Sequence, residues 1–270
     1  MKKRFLSMLL TLCLLLGLLP TAVLAAEEHS GHGEGWTAVT NETTALTDGS
    51  YYLSEGGISG DGLTVTGTAT LCLNGQTLNR YIEVQRGGSL TICDCSESDS
   101  GKISGSFYSY VIQNYGTLVL ERGAVENTGD GYGIYNRSGS LTITGGSVCA
   151  SGSEAIYNYG ALTITGGTVT TSSAYDHAIY HSSSSDLILG GSPTITTNGD
   201  GYGDICLGST YGGSVDAGGP AGENSPYAGD NLTVEASDSY PNGVTAVKQA
   251  TADNKDKFSC GNSKYRFRHD

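Results

Sequence analysis

Val111-Ile112-Gln113-Asn114, Gly133-Ile134-Tyr135-Asn136, Ala155-Ile156-Tyr157-Asn158, Ala178-Ile179-Tyr180-His181 and Asp204-Ile205-Cys206-Leu207 are five versions of one phrase. Their isoleucines lie 22, 22, 23 and 26 residues apart. A second apolar phrase follows each of the first four after a short turn: Leu118-Val119-Leu120, Leu141-Thr142-Ile143, Leu162-Thr163-Ile164 and Leu187-Ile188-Leu189. Gly-rich corners then lead to a third strand-like run, as in Gly145-Gly146-Ser147-Val148 and Gly166-Gly167-Thr168-Val169.

A period of about 20–30 residues built from short strands is the mark of a solenoid. The unit is too short for a strand–helix–strand crossover of about 30 residues. Within it, apolar residues alternate with Thr, Ser or Tyr at period two, and no stretch has helical periodicity. One such unit cannot bury its own inward face, so units must stack. Stacking places Ile112, Ile134, Ile156, Ile179 and Ile205 in one column, with coils about 4.8 Å apart and each buried isoleucine contributing roughly 1.5–3 kcal/mol. A β-sandwich does not require its strands to resemble one another in sequence, as these do. The expectation is an all-β, right-handed parallel β-helix of about seven or eight coils, capped at both ends.

Residues 1–25 read as a signal peptide. Lys2-Lys3-Arg4 is the positive region, Leu6 to Leu19 the apolar core, and Val23-Leu24-Ala25 the cleavage site. Export to the outside of the cell is therefore expected, with no membrane association after cleavage. Losing those three basic residues takes the formal charge from −13 to −16. A surface so acidic excludes nucleic acid as a partner. Six cysteines remain after residue 25: Cys72, Cys93, Cys95, Cys149, Cys206 and Cys260. An exported chain can pair them, and Cys72–Cys95 or Cys72–Cys93 is the expected staple. A zinc site is the rival, but no second Cys-x-x-Cys or His pair stands nearby in sequence.

In chain order, residues 26–58 form a leader and an N-terminal cap, with residues 26–35 flexible and Trp36 to Ile58 covering the open first coil. The β-helix occupies 59–212. Residues 213–270 form a Gly/Pro-rich loop, a strand at Asn231-Leu232-Thr233-Val234-Glu235 and a closing cap. Leu71-Cys72-Leu73-Asn74-Gly75, then Gly88-Ser89-Leu90-Thr91-Ile92-Cys93-Asp94-Cys95, then Gly101-Lys102-Ile103 resemble the opening of exported right-handed parallel β-helix proteins. These are pectin-lyase-like surface proteins of Firmicutes, often named carbohydrate-binding-domain proteins. The resemblance covers residues 36–270. It implies a secreted or cell-surface protein and a polysaccharide or surface glycan as partner. Such proteins run on past this length, which implies a short or truncated member.

Asn114, Asn136 and Asn158 occupy equivalent positions, where their amides can form a ladder along the stack, with His181 fourth and Leu207 fifth. Tyr135, Tyr157 and Tyr180 each follow an inward isoleucine by one residue, so alternation points them outward as an aromatic column. Such a column binds sugar faces through apolar and polar contact together. Its other reading is mutual support between neighbouring strands. Gly129-Asp130-Gly131 and Gly199-Asp200-Gly201 are turns that can hold calcium, though one Asp per corner evidences none and no cofactor is implied. For catalysis, Arg80, Arg86, Arg122 and Arg137 meet no acidic trio. Glu154, Asp176, Asp186 and Asp200 sit in scattered turns, so no catalytic constellation stands out. The function expected is non-catalytic adhesion or glycan interaction through the outer face. A polysaccharide lyase or glycoside hydrolase is the alternative from another class, and a structural stalk the third.

Overall fold

Period-two alternation gives each short strand one dry and one wet face, and parallel pairing lines the dry faces up. The computed structural model describes residues 32–198, 202–208, 212–221, 223, 225–237, 240, 246–248, 250 and 253–260. Residues 1–25, expected as a signal peptide, lie outside them. The chain is a parallel β-helix with three sheets running its length. Sheet I has ten strands, from Trp36–Val39 to Val247–Lys248. Sheet II has ten, from Ala45–Leu46 to Phe258–Cys260. Sheet III has seven, from Ile58–Ser59 to Thr194–Thr197. The stack makes about nine turns, more than the seven or eight expected.

The extra turns come from the two ends. Trp36–Val39 and Gly49–Leu53, in the segment expected as a cap, pair in parallel and continue sheet I. Val215–Asp216 and Leu232–Ala236, expected in a loop and an isolated strand, continue sheets I and II. Both stretches lack the five-fold phrase, and several of their strands are only two residues long. Backbone pairing carried the solenoid further than side-chain repetition did.

Within the stack, every isoleucine of the repeated phrase sits opposite the next: Ile112↔Ile134↔Ile156↔Ile179↔Ile205. The column extends to Ile82 and Leu63 before it and Val234 after it. Those isoleucines are fully buried. Sheet I contributes the column Ile92, Leu120, Ile143, Ile164 and Leu189. Sheet III contributes Leu78, Ile103, Val125, Val148, Val169 and Ile195. One continuous apolar core results.

The turn into sheet III repeats a backbone demand. Gly123, Gly146, Gly167 and Gly191 all have φ between +59° and +87°, a region that costs other L-residues about 1–2 kcal/mol. A Cβ on Gly167 would also stand 2.6 Å from the carbonyl oxygen of Gly146 one coil earlier. Gly167→Ala is therefore expected to lower unfolding stability by about 1–3 kcal/mol while keeping the β-rich circular-dichroism spectrum. An unchanged denaturation midpoint would show that this corner relaxes freely.

Candidate functional site

The outer face of sheet II is where the tyrosines gather. Position by position, its outward column runs Glu83, Gln113, Tyr135, Tyr157, Tyr180, Cys206, Glu235. Tyr157 and Tyr180 stack, with centroids 4.7 Å apart and planes 18° from parallel. Tyr135 meets Tyr157 edge-on at 5.7 Å. Tyr132 lies 4.7 Å from Tyr157 and 5.7 Å from Tyr135. Tyr159 lies 5.3 Å from Tyr157, and the two phenol oxygens are 3.2 Å apart. Tyr110 and Tyr81 extend the aromatic run toward the N-terminal coils, at successive centroid distances of 6.4 and 6.3 Å. Pairs of this kind contribute about 0.5–1.5 kcal/mol each beyond their buried area.

Three clefts open along this face. One of about 450 Å³ is walled by Tyr135, Arg137, Tyr159 and Ser182 to Ser184. The next, about 380 Å³, shares Tyr135 and Arg137 and adds Tyr110, Gln113, Asp130 and Tyr132. The third, about 190 Å³, shares Tyr108 and Tyr110 with the second and adds Tyr81 and Phe107. Because neighbours share walls, they form one groove along the solenoid. The Arg137 guanidinium carbon sits 5.9 Å from the centroids of both Tyr115 and Tyr135, within reach of a cation–π contact. Burial raises the phenols of Tyr110, Tyr132, Tyr135, Tyr157 and Tyr180 above the ordinary tyrosine value. Their hydroxyls thus stay protonated at neutral pH and both donate and accept.

The sequence pointed to Tyr135, Tyr157 and Tyr180 but not to Tyr132, Tyr159, Tyr110 or Arg137. Tyr159 and Arg137 hold the same place, two residues after Tyr157 and Tyr135, in the turn just past each strand, where alternation no longer fixes direction. Tyr132 opens the strand Tyr132–Asn136 three residues before Tyr135, where strict alternation would turn it inward.

Beneath the groove, the residue after each tyrosine turns inward. The Asn114 side-chain amide donates to Asn136 Oδ1 at 2.9 Å, and that of Asn136 to Asn158 Oδ1 at 2.6 Å. The ladder runs on to His181, whose Nδ1 lies 2.8 Å from Asn158 Nδ2. All three asparagines are fully buried. They stand where the earlier coils carry Val65 and Val84 and the later one Leu207. His181 Nε2 is 2.8 Å from the carbonyl oxygen of Ser185. That carbonyl only accepts, so Nε2 carries the proton and Nδ1 accepts from Asn158. The polar row fixes the three strands that carry the column.

Of the remaining candidates, only Asp130 among the described residues stands in the groove. Arg80 is buried and donates to the carbonyls of Thr43, Asp61 and Gly62, which makes it a clasp between coils. Arg122 pairs with Asp99 at 2.7 Å, and Asp186 with Lys248 at 3.0 Å. Burial raises the carboxyl of Glu154, which takes a hydrogen bond from Ser153 at 2.8 Å. Asp130 lines the groove, and Asp200 lies outside the described residues. Cys72, Cys93, Cys95, Cys149 and Cys206 are free thiols. Cys72 and Cys95 do come together, but the Cys95 thiol turns toward Asn74 Oδ1, 3.5 Å away, and no disulfide closes. No helix among the described residues is long and apolar enough to cross a membrane.

Two outcomes are expected of the ladder. Asn136→Ala removes the middle amide and strands its buried neighbours, so stability should fall by about 1–3 kcal/mol. An unchanged melting temperature would show that the ladder carries no load. Burial lowers the basicity of His181 below its ordinary value of 6.5. Below that pH the unfolded chain takes up a proton that the folded chain refuses, so acid favours unfolding. Stability should decline by up to about 1.4 kcal/mol per pH unit below 6.5, and His181→Asn should remove that part of the slope. Parallel profiles for the two proteins would contradict the buried neutral imidazole.

No family model, curated protein or solved structure matches this chain, so the chemistry of the groove is what bears on its function.

Proposed function

We propose that this is a secreted or cell-surface β-helix protein that binds polysaccharide without converting it, with residues 1–25 as its export signal. The observation that carries the reading is the phenol-walled groove on sheet II. Pyranose rings present apolar C–H faces and a rim of hydroxyls. Tyr110, Tyr132 and Tyr135, which line the clefts, offer ring surface for the first and uncharged hydroxyls for the second, while Tyr157 and Tyr180 stack on each other beside them. Ser182, Ser183 and Ser184 add polar groups along one wall, and Arg137 adds a donor held beside two rings. The groove spans several coils, as a polymeric ligand requires. Calcium has no role in this reading.

A lyase or hydrolase is the second reading. It would draw on Glu154 or Asp204, two carboxyls whose protonated form burial favours, as burial does for general acids in glycoside cleavage.

A glycan array followed by affinity electrophoresis in the retained polysaccharide tests the proposal. Tyr135→Ala, at the ring that walls two of the clefts, should weaken retention roughly 2- to 10-fold, the equivalent of one lost ring contact. Thr142→Ala, on the outer face of sheet I, should leave it unchanged. Equal retention by a folded Tyr135→Ala protein would sink the groove as the binding site. Release of reducing ends or unsaturated uronate, lost in Glu154→Gln or Asp204→Asn, would replace binding by catalysis.

A further inference from the structure

At the N-terminal end of the solenoid, away from the tyrosine groove, three segments converge on one spot. His32 precedes the first strand. Cys72 ends the sheet I strand Thr68–Cys72. Cys93 ends the next strand of that sheet, Ser89–Cys93, directly opposite Cys72, and Cys95 follows two residues later. A ring nitrogen of His32 and the sulfurs of Cys72 and Cys95 all lie within 4.8 Å of one another. His32 Nε2 is 3.9 Å from Cys95 Sγ. Cys72 is fully buried, and His32 and Cys95 are half-buried.

Each ligand is aimed by its surroundings. The His32 ring lies flat on Tyr52, 4.3 Å between centroids and 9° from parallel, with Trp36 edge-on at 5.0 Å. The turn between Cys93 and Cys95 is pinned by Asp94. Its carboxylate accepts backbone N–H groups from Gly75 and Gly101, each at 2.7 Å, and from Ser96 at 3.2 Å. The neighbouring turn is held by Asn74, at φ +52°, whose amide donates to the carbonyl of Leu53 at 3.0 Å.

We propose that His32, Cys72 and Cys95 form a zinc site, with the Cys93 thiol beside Cys72 or a water as fourth ligand. Mixed thiolate and imidazole donors suit a borderline-soft ion of tetrahedral preference. With Zn–S near 2.3 Å and Zn–N near 2.05 Å, tetrahedral donors stand about 3.5–3.8 Å apart. The ring-to-sulfur distance seen here closes to that value by a small shift of Cys95. Magnesium and calcium want oxygen ligands and find none in this donor set. The bound ion ties the segment before the first strand to the coils that carry the third and fourth strands of sheet I.

Cobalt(II) titration of the full chain, purified and kept reduced without oxygen, tests the site. One equivalent should give the intense visible bands of tetrahedral cobalt and a thiolate charge-transfer band, both erased by one equivalent of Zn²⁺. Cys95→Ser and His32→Ala change half-buried side chains, so both variants should fold. Each should weaken Zn²⁺ binding at least tenfold and lose the zinc-dependent rise in melting temperature. Cys149→Ser, on sheet III, should behave as the parent. Three results would overturn the assignment: no thiolate–cobalt spectrum, equal weakening by Cys149→Ser, or binding of Cu⁺ but not Zn²⁺. So would a Cys72–Cys95 disulfide in peptides from the protein as the cell makes it, because the ligands would then be consumed.

Discussion

Parallel pairing of each coil with the next is the constraint on which everything else rests. A single coil of some 22 residues cannot bury its own inward face. Only when Ile134 lies over Ile112 and under Ile156 do all three leave water. The same hydrogen bonds that bring the isoleucines together stack whatever precedes and follows them. A tyrosine column outside and an asparagine column inside are therefore consequences of one register. Neither had to be assembled from distant parts of the chain, as a site on a globular fold must be.

This is why so much was legible in the sequence. The five-fold phrase at Ile112, Ile134, Ile156, Ile179 and Ile205 fixed the period, and period-two alternation then fixed direction. Residues on strands within the repeat were placed by counting. Legibility failed where the counting stopped. Trp36–Val39 and Val215–Asp216 belong to the stack through backbone pairing, and backbone hydrogen bonds leave little trace in side-chain identity. Arg137 and Tyr159 reach the groove from turns, and Tyr132 from the start of a strand where strict alternation does not hold. Arg80 shows the opposite failure: a charged residue that reads as surface or catalytic is buried, because three carbonyls take up its guanidinium.

The cysteine cluster was half legible. Cys72, Cys93 and Cys95 are one coil apart, so their approach follows from the period. His32 is outside the repeat, and nothing in its spacing from Cys95 announces the contact. It arrives there because Tyr52 and Trp36 give its ring a seat. The groove and the cysteine cluster thus illustrate two ways of building a site on a solenoid. One repeats a residue along the axis and grows with the number of coils. The other uses a non-repeated segment at the end of the stack and occurs once.

The asparagine row has a consequence for how the chain avoids folding wrongly. In a repetitive protein, a strand can dock one whole unit out of place and still bury its aliphatic residues, since every coil offers a similar shelf. Here the shelves are not equivalent. A slip that set Asn114 against Asn158, skipping a coil, would leave Asn136 with no amide partner on either side. A slip toward the ends would set Asn136 against Val84 or Asn158 against Leu207, leaving Asn114 or His181 out of the row. Either error buries an unmatched polar group, at about 1–3 kcal/mol. Asn114, Asn136, Asn158 and His181 thus act as a serial number that lets otherwise interchangeable coils recognise their proper neighbours.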